Sequence, residues 1–168
     1  MTFRIREFKR EELEKKPHEL RELPLIIFNH HFVGKKGESI AQDWERRKNI
    51  FYKALKNPDY GMLVIEREKD NLIVGFLDYW IIHCPIENAN LCFLQNFRIW
   101  THFRKQGLGK ALVLALKEIA MARNCKEIHV VSGPDAVGFY KKCGFQVKDV
   151  FLEQETKNIL KGERLERE

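Results

Sequence analysis

The sequence contains no apolar run near the roughly 18 residues needed to cross a bilayer as a helix, which excludes an integral helical membrane protein. It also has no CxxC pair, its four cysteines (Cys84, Cys92, Cys125, Cys143) being scattered. That spacing spells neither a zinc ribbon nor a disulfide scaffold, and a chain of 168 residues can bury enough surface to need no staples. No internal repeat, low-complexity linker or composition break marks a domain boundary. The opening residues, MTFRIREFKR, alternate charged and apolar side chains and lack the apolar centre of a secretion signal. The expectation is a reduced, cytoplasmic protein forming one domain over residues 1–168.

What is present argues for a self-sufficient packed core. Apolar residues make up 44% and aromatics 11%, too many for a disordered or collagen-like chain. The net charge of +6 is unevenly placed. Residues 101–148 carry Arg104, Lys105, Lys110, Lys117, Arg123, Lys126, Lys141, Lys142 and Lys148 against only Glu118, Glu127 and Asp135, an excess equal to that of the whole chain. Residues 61–100 lean the other way, with Glu66, Glu68, Asp70, Asp78 and Glu87 against Arg67, Lys69 and Arg98. One region suits a polyanion and the other a cation.

Periodicity divides the chain into an opening strand around Phe3, Ile5 and Phe8, then mostly helix over 10–32, interrupted at Pro17 and Pro24. Ser39 and Gln42 form a capping-box signal for a helix presenting Ile40, Trp44, Phe51 and Leu55 and ending near Asn57-Pro58. Met62–Glu66 and Leu72–Cys84 read as a hairpin about Lys69-Asp70-Asn71, and Leu91–Trp100 as a third strand. A helix over Gly107–Asn124, a short buried strand over Lys126–Ser132 and a helix over Asp135–Cys143 stopped by Gly144 follow. Gln146–Gln154 and Thr156–Leu160 read as closing strands. The order predicts one α+β domain with a mixed sheet.

The most informative residues are Arg104-Lys105-Gln106-Gly107-Leu108-Gly109-Lys110, placed after a strand and at the start of a helix. A helix N-terminus leaves backbone N–H groups unpaired at the positive end of the macrodipole, and glycines let an anion approach them. Arg104, Lys105 and Lys110 add charge. GxxxxGK[ST] is absent, and only two of the three Rossmann glycines are present, so the turn is neither of those phosphate loops. After the next strand comes Asp135-Ala136-Val137-Gly138-Phe139-Tyr140-Lys141-Lys142-Cys143-Gly144-Phe145.

With these two motifs in order, the sequence resembles the GNAT N-acetyltransferase superfamily. In that family an Arg/Gln-x-x-Gly-x-Gly/Ala turn follows the fourth strand, and a short helix reading Asn-x-x-Ala-x-x-Phe-Tyr-x-x-x-Gly-Phe follows the fifth. Here the turn is RKQGLG at 104–109, the strand is EIHVVS and the helix contains FYKKCGF at 139–145. The resemblance is strongest over 89–150. It implies a mixed, mostly antiparallel twisted sheet of six to seven strands flanked by helices. It also implies acetyl-CoA as cosubstrate, an amine as acceptor, and a V-shaped gap between strands four and five. By position, Phe97, Arg98 and Ile99 should run beside the pantetheine arm and thioester. The Lys105–Lys110 amides, from Lys105 and Gln106 through Gly107, Leu108 and Gly109, should hold the pyrophosphate, with Arg104 beside them. Tyr140 matches the tyrosine that protonates the leaving thiolate, and Phe139 lies next to it.

One departure is Asp135, where the family has Asn; as an N-cap it serves equally well, but a carboxylate cannot donate a hydrogen bond to CoA. A second is Phe93, where some members place a Glu in strand four. The proton acceptor is then sought among Asp78, Glu66, Glu87, His83, His30 and His31, or in water. Asp78 is the first choice because it interrupts the apolar run GFL-YWII. A zinc site from His83, Cys84 and Cys92 lacks standard spacing. The aromatics among the basic residues show no stacking pattern for nucleic acid. The reading is an enzyme acting on an amine, without metal, membrane or nucleic-acid partner and compatible with a homodimer. The competing reading is a CoA-binding module without catalysis.

Overall fold

The computed structural model describes residues 2–14 and 48–148. β1 (Phe3–Glu7), β2 (Tyr60–Arg67), β3 (Leu72–Cys84), β4 (Ala89–Ile99) and β5 (Cys125–Val130) form one sheet in that order. β1 to β4 pair antiparallel and β4 pairs parallel with β5. The sheet is therefore mixed, as the sequence predicts, with five strands among the described residues. The strand sequences YGMLVIER and LIVGFLDYWIIHC are rich in the β-branched and aromatic side chains that suit a pleated surface. Asn71 and Asn88, at φ 54° and 48°, take the left-handed positions at the two hairpin turns, a conformation Asn tolerates better than most residues.

α1 (Leu108–Ala122) makes the crossover from β4 to β5 that a parallel pair requires. It buries Leu108, Leu112, Val113, Leu116 and Ala120 and packs against β2, β3, β4 and β5. A second cluster of Phe8, Leu13, Met62, Val64, Ile73 and Phe76 is completed by half-buried Phe51, Tyr52, Leu55 and Trp100. Residues 48–54 are helical and stop before Asn57-Pro58, where the sequence places the end of that helix. β2 is buried at nearly every position, because side chains of both parities meet apolar neighbours. Each fully buried Leu, Ile or Phe contributes about 1.5–3 kcal/mol. No helix among the described residues is long and apolar enough to cross a membrane.

The chain divides into two compact units, Met1–Val130 and Val131–Glu168. The described part of the second contains α2 (Pro134–Lys142), followed by residues 145–148 without regular structure.

Several expectations change. Arg10–Glu14 is a 3-10 turn, and the helices expected over 15–32 and from Ser39 lie outside the described residues, as do most of the closing strands. β5 is half-exposed and has no buried residue, because in the described sheet only β4 flanks it. Asp135 is not the N-cap of α2. Gly133 holds that place, Pro134 takes the first helical position with its preset φ, and Asp135 lies in the first turn, where a carboxylate still complements the helix dipole.

Candidate active site

The β4–β5 ladder runs from Asn90 opposite Cys125 to Leu94 opposite Val130 and stops there, while β4 continues to Ile99. At the same place the β3–β4 register shifts: Tyr79 lies opposite Leu94 and Asp78 opposite Asn96, so Gln95 is an extra residue, a β-bulge. Phe97, Arg98 and Ile99 follow directly, paired with Leu77, Phe76 and Gly75. The Asn96 N–H points to β3, where it donates to Asp78 Oδ1 at 2.7 Å. Backbone groups alternate along a strand, so those of Phe97 and Ile99 are directed away from β3, toward the side β5 has left. Arg104 Nε donates to the Ile99 carbonyl there at 2.9 Å. The Phe97–Ile99 segment expected beside the thioester is thus the part of β4 beyond the reach of the β5 ladder.

β4 leads through a 3-10 turn, Thr101–Phe103, anchored by buried Phe103, into the glycine turn. Lys105 and Gly107 take left-handed φ values of 59° and 82°. Gly107 caps α1, and a Cβ placed on it would meet nothing within 4 Å, so the backbone there faces open space. The first helical bond runs from the Ala111 N–H to the Gly107 carbonyl at 3.1 Å, which leaves the N–H groups of Leu108, Gly109 and Lys110 in the first turn ahead of it. Leu108 is buried and fixes the turn, whereas Arg104, Lys105, Gln106, Gly107 and Lys110 are exposed. Gln106 Nε2 donates back to the His102 carbonyl at 3.3 Å. Partial burial, then the neighbouring Arg104 guanidinium, pull the Arg98 pKa down. A pair of cations so placed is relieved by an anion between them. These groups fit a pyrophosphate, with exposed N–H donors, a cradle without side chain and concentrated positive charge.

Asp78 lies on β3 beside the bulge and is only 3% exposed. Its Oδ2 accepts from Tyr60 Oη at 2.9 Å and from Asn96 Nδ2 at 3.0 Å, in addition to the Asn96 N–H on Oδ1. Burial raises the Asp78 pKa, and the hydrogen bonds from Asn96 and Tyr60 draw it back toward the carboxylate form. Burial, then the Asp78 charge, push the Tyr60 phenol far above its usual pKa, so it remains a donor. Trp80 Nε1 donates to Oε1 of the bulged Gln95 at 2.9 Å.

The other proton-acceptor candidates are dispersed. Glu66 is buried and held by Arg4 at 3.1 Å and Arg6 at 2.5 Å. Glu87 is exposed at the β3–β4 tip, 3.6 Å from Lys126. His83 is exposed, with Nδ1 2.8 Å from Asn90 Oδ1 and Nε2 3.1 Å from Asp59 Oδ2. Phe93 lies on β4 opposite Trp80 and His129. His30 and His31 lie outside the described residues.

In the second unit, Tyr140 is buried on α2 with its ring edge-on to Phe139 at 5.2 Å and to Phe145 at 5.4 Å between centroids. Burial, then Cys143, push its phenol pKa up to about 12. Gly144, at φ 89°, ends the helix with two reversed bonds, Phe145 N–H to Tyr140 O and Gly144 N–H to Lys141 O, both 3.0 Å. That is a Schellman stop with its accompanying apolar contact. Within the sequence motif FYKKCGF, the two aromatic neighbours and the glycine stop all bear on one tyrosine.

Sequence reasoning missed Tyr60, Trp80, Gln95 and Asn96. The one signal was Asp78 in an apolar strand, which demanded buried donors; which residues supply them follows only from the register.

The family model described as Acetyltransferase (GNAT) family matches residues 17–145. Over 47 residues the chain is 43% identical to glucosamine 6-phosphate N-acetyltransferase 1 of Oryza sativa subsp. japonica, a match spanning 28% of this chain and 28% of that one. The solved structure of glucosamine-6-phosphate N-acetyltransferase from Arabidopsis thaliana is similar with a TM-score of 0.72 at 19% identity, covering 93% of this chain and 99% of that one. A GNAT family acetyltransferase of Staphylococcus aureus gives a TM-score of 0.72 at 22% identity, covering 92% and 99%. The chain belongs to the acetyltransferase (GNAT) family, the family of acetyl-CoA-dependent N-acetyltransferases.

Proposed function

We propose that this protein transfers the acetyl group of acetyl-CoA directly to a primary amine. The observation that carries the reading is the end of the β4–β5 ladder at Leu94, after which β4 runs on through Phe97–Ile99 into an open, cationic helix N-terminus. The turn from Lys105 to Lys110 holds the pyrophosphate with its first-turn N–H groups, and Arg104, Lys105 and Lys110 supply charge. The pantetheine arm extends along Phe97, Arg98 and Ile99, and an N–H of this strand polarises the thioester carbonyl, a contribution of several kcal/mol where such donors are preorganised. The neutral amine attacks that carbonyl carbon; its C–N bond forms, the C–S bond breaks and the sulfur leaves as thiolate. By its match to the family motif, Tyr140 shares its proton with that sulfur, with Phe139 and Phe145 fixing the ring, and the proton that the nitrogen sheds on becoming an amide balances the one that ends on the sulfur of the CoA thiol. Asp135, unable to donate, assists only through the start of α2.

An alkylammonium of pKa near 10.4 must lose its proton before attack. Asp78 has its oxygens engaged and Phe93 cannot accept, which among the described residues favours passage of the proton to water. The acceptor is a cationic amine, in keeping with the acidic balance of residues 61–100; the name of the Oryza sativa relative adds amino-sugar phosphates to the amines worth testing.

Calorimetric titration with acetyl-CoA tests the cofactor half of this reading, with Gly107→Glu and Lys110→Glu alongside. Micromolar binding by the wild type, weakened at least tenfold in both variants, is the expected result. Absence of binding by folded wild type would remove the reading.

A further inference from the structure

Asp78 sits where three strands meet the bulge, and its surroundings account for its two oxygens. Asn96 N–H and Asn96 Nδ2 reach it from β4 and Tyr60 Oη reaches it from β2, at 2.7, 3.0 and 2.9 Å. A carboxylate offers about four lone-pair directions, and three are filled by donors of the fold itself. A bulge breaks the ladder and orphans the backbone groups around the extra residue. Here the orphan is the Asn96 N–H, and the Asp78 side chain replaces the carbonyl that an unbroken ladder would have offered. The packing around the pair is equally specific. The Tyr60 ring lies against Trp80 at 4.9 Å between centroids, and Trp80 holds the side chain of Gln95. The bulge coincides with the last β4–β5 pair, Leu94 with Val130.

We propose that Asp78 is a positioning residue, which clamps the Gln95 bulge through Asn96 and so fixes where β4 parts from β5 and how Phe97–Ile99 is presented. This inference rests on the acetyl-transfer reading for its catalytic consequence, but not for its structural one. The substrate proton has no claim on Asp78, whose carboxylate is an acceptor for the backbone of β4. Among the described residues Tyr60 is the titratable side chain in hydrogen-bond contact with it, and as a donor it is part of the same clamp.

The conservative variant separates this role from that of a general base. Asp78→Asn keeps an oxygen for the Asn96 N–H and turns its amide toward Tyr60 Oη, which can accept as well as donate, and toward the Asn96 side chain, whose amide turns over to present its oxygen. Asp78→Ala removes the clamp. The clamp predicts that Asp78→Asn retains kcat/KM within about fivefold with an unchanged acidic limb of its pH profile. It predicts that Asp78→Ala loses about 10–100-fold through misplacement of the strand. Amide hydrogen exchange supplies a readout free of turnover: the Asn96 amide should be protected in wild type and Asp78→Asn, and exchange at least tenfold faster in Asp78→Ala. Should Asp78→Ala not fold, Tyr60→Phe, which deletes one donor, should raise Asn96 exchange while leaving the acidic limb in place. Equal losses of 100-fold or more in Asp78→Asn and Asp78→Ala, with the acidic limb flattened and Asn96 still protected, would overturn the proposal in favour of a base. A protein that releases no CoA from any amine, yet shows the Asn96 exchange pattern, would sink the catalytic reading and leave the clamp standing.

Discussion

Phe145 holds Tyr140 twice: its amide donates to the Tyr140 carbonyl at 3.0 Å, and its ring stands edge-on to the tyrosine ring at 5.4 Å. The first contact ends α2 and the second fixes the ring, so the Gly-Phe pair closing the motif acts on the residue four and five places before it. Gly144 makes the stop by adopting φ 89°. Gly144→Ala should cost about 1–2 kcal/mol of stability, seen as a lowered melting temperature, because an L side chain strains this conformation. An unchanged melt would contradict the stop.

Tyr140 should matter for departure of the sulfur and little for binding. A phenol pushed up to about 12 stays protonated across the working range. It is also a weaker acid than a thiol of pKa near 8.5, so it stabilises the thiolate by sharing its proton more than by surrendering it. Tyr140→Phe is therefore expected to lower kcat by about 10–100-fold, the low end for acid catalysis, with acetyl-CoA affinity within about threefold. The wild-type kcat should show no alkaline limb from this group through about pH 10. An alkaline limb below that, abolished in Tyr140→Phe, would contradict the assignment.

With water as proton acceptor, kcat/KM for the amine should rise with unit slope on a logarithmic scale as pH approaches the amine's own pKa. Two substrates whose amines differ in pKa should give limbs displaced by that difference. A limb fixed at one pH for both would identify an enzymic base.

Gly75 keeps β3 close to the end of β4. A Cβ there would stand 2.5 Å from Ile99 Cδ1 and 2.8 Å from the Arg98 carbonyl oxygen, and backbone cannot yield as a side-chain tip can. Gly75→Ala should cost about 1–3 kcal/mol in chemical denaturation, in the range of overpacked cores. It should also weaken acetyl-CoA binding by moving Arg98. Full stability and affinity in this variant would show that β4 adjusts freely.

His83 should titrate above the usual 6.5, because Asn90 Oδ1 and the Asp59 carboxylate each accept from one ring nitrogen and so favour the doubly protonated form. A raised folded-state pKa means this stabilisation is fully present below the unfolded value and lost as pH rises through the folded one. The melting temperature should therefore fall as pH rises through and above 6.5, less steeply in His83→Gln. A ring titrating at or below 6.5 by NMR would rule this out.

The strands β1 to β4, α1 and α2 were legible because their patterns are local: alternation in Phe3–Glu7, an apolar run broken only by Asp78 and His83 in Leu72–Cys84, and helical spacing through Leu108, Leu112 and Leu116. The glycine turn was legible because it combines composition with position. The clamp was not, since Asp78, Tyr60 and Asn96 are 18 residues apart in either direction and meet only through strand register. Asp135 misled as an N-cap because Pro134 at the first helical position moved the cap back to Gly133. β5 misled because EIHVV looks buried by composition, while only β4 flanks it in the described sheet.

Acetyl transfer itself is read out by release of the CoA thiol. Acetyl-CoA is supplied with a panel of primary amines, including protein N-termini, lysine peptides and glucosamine 6-phosphate, while free CoA thiol and acetylated amine are counted together. The account predicts amine-dependent thiol release matched mole for mole by acetylated amine, reduced but not abolished in Tyr140→Phe. Tight acetyl-CoA binding with no amine-dependent release across the panel would contradict it and leave a CoA-binding module in its place.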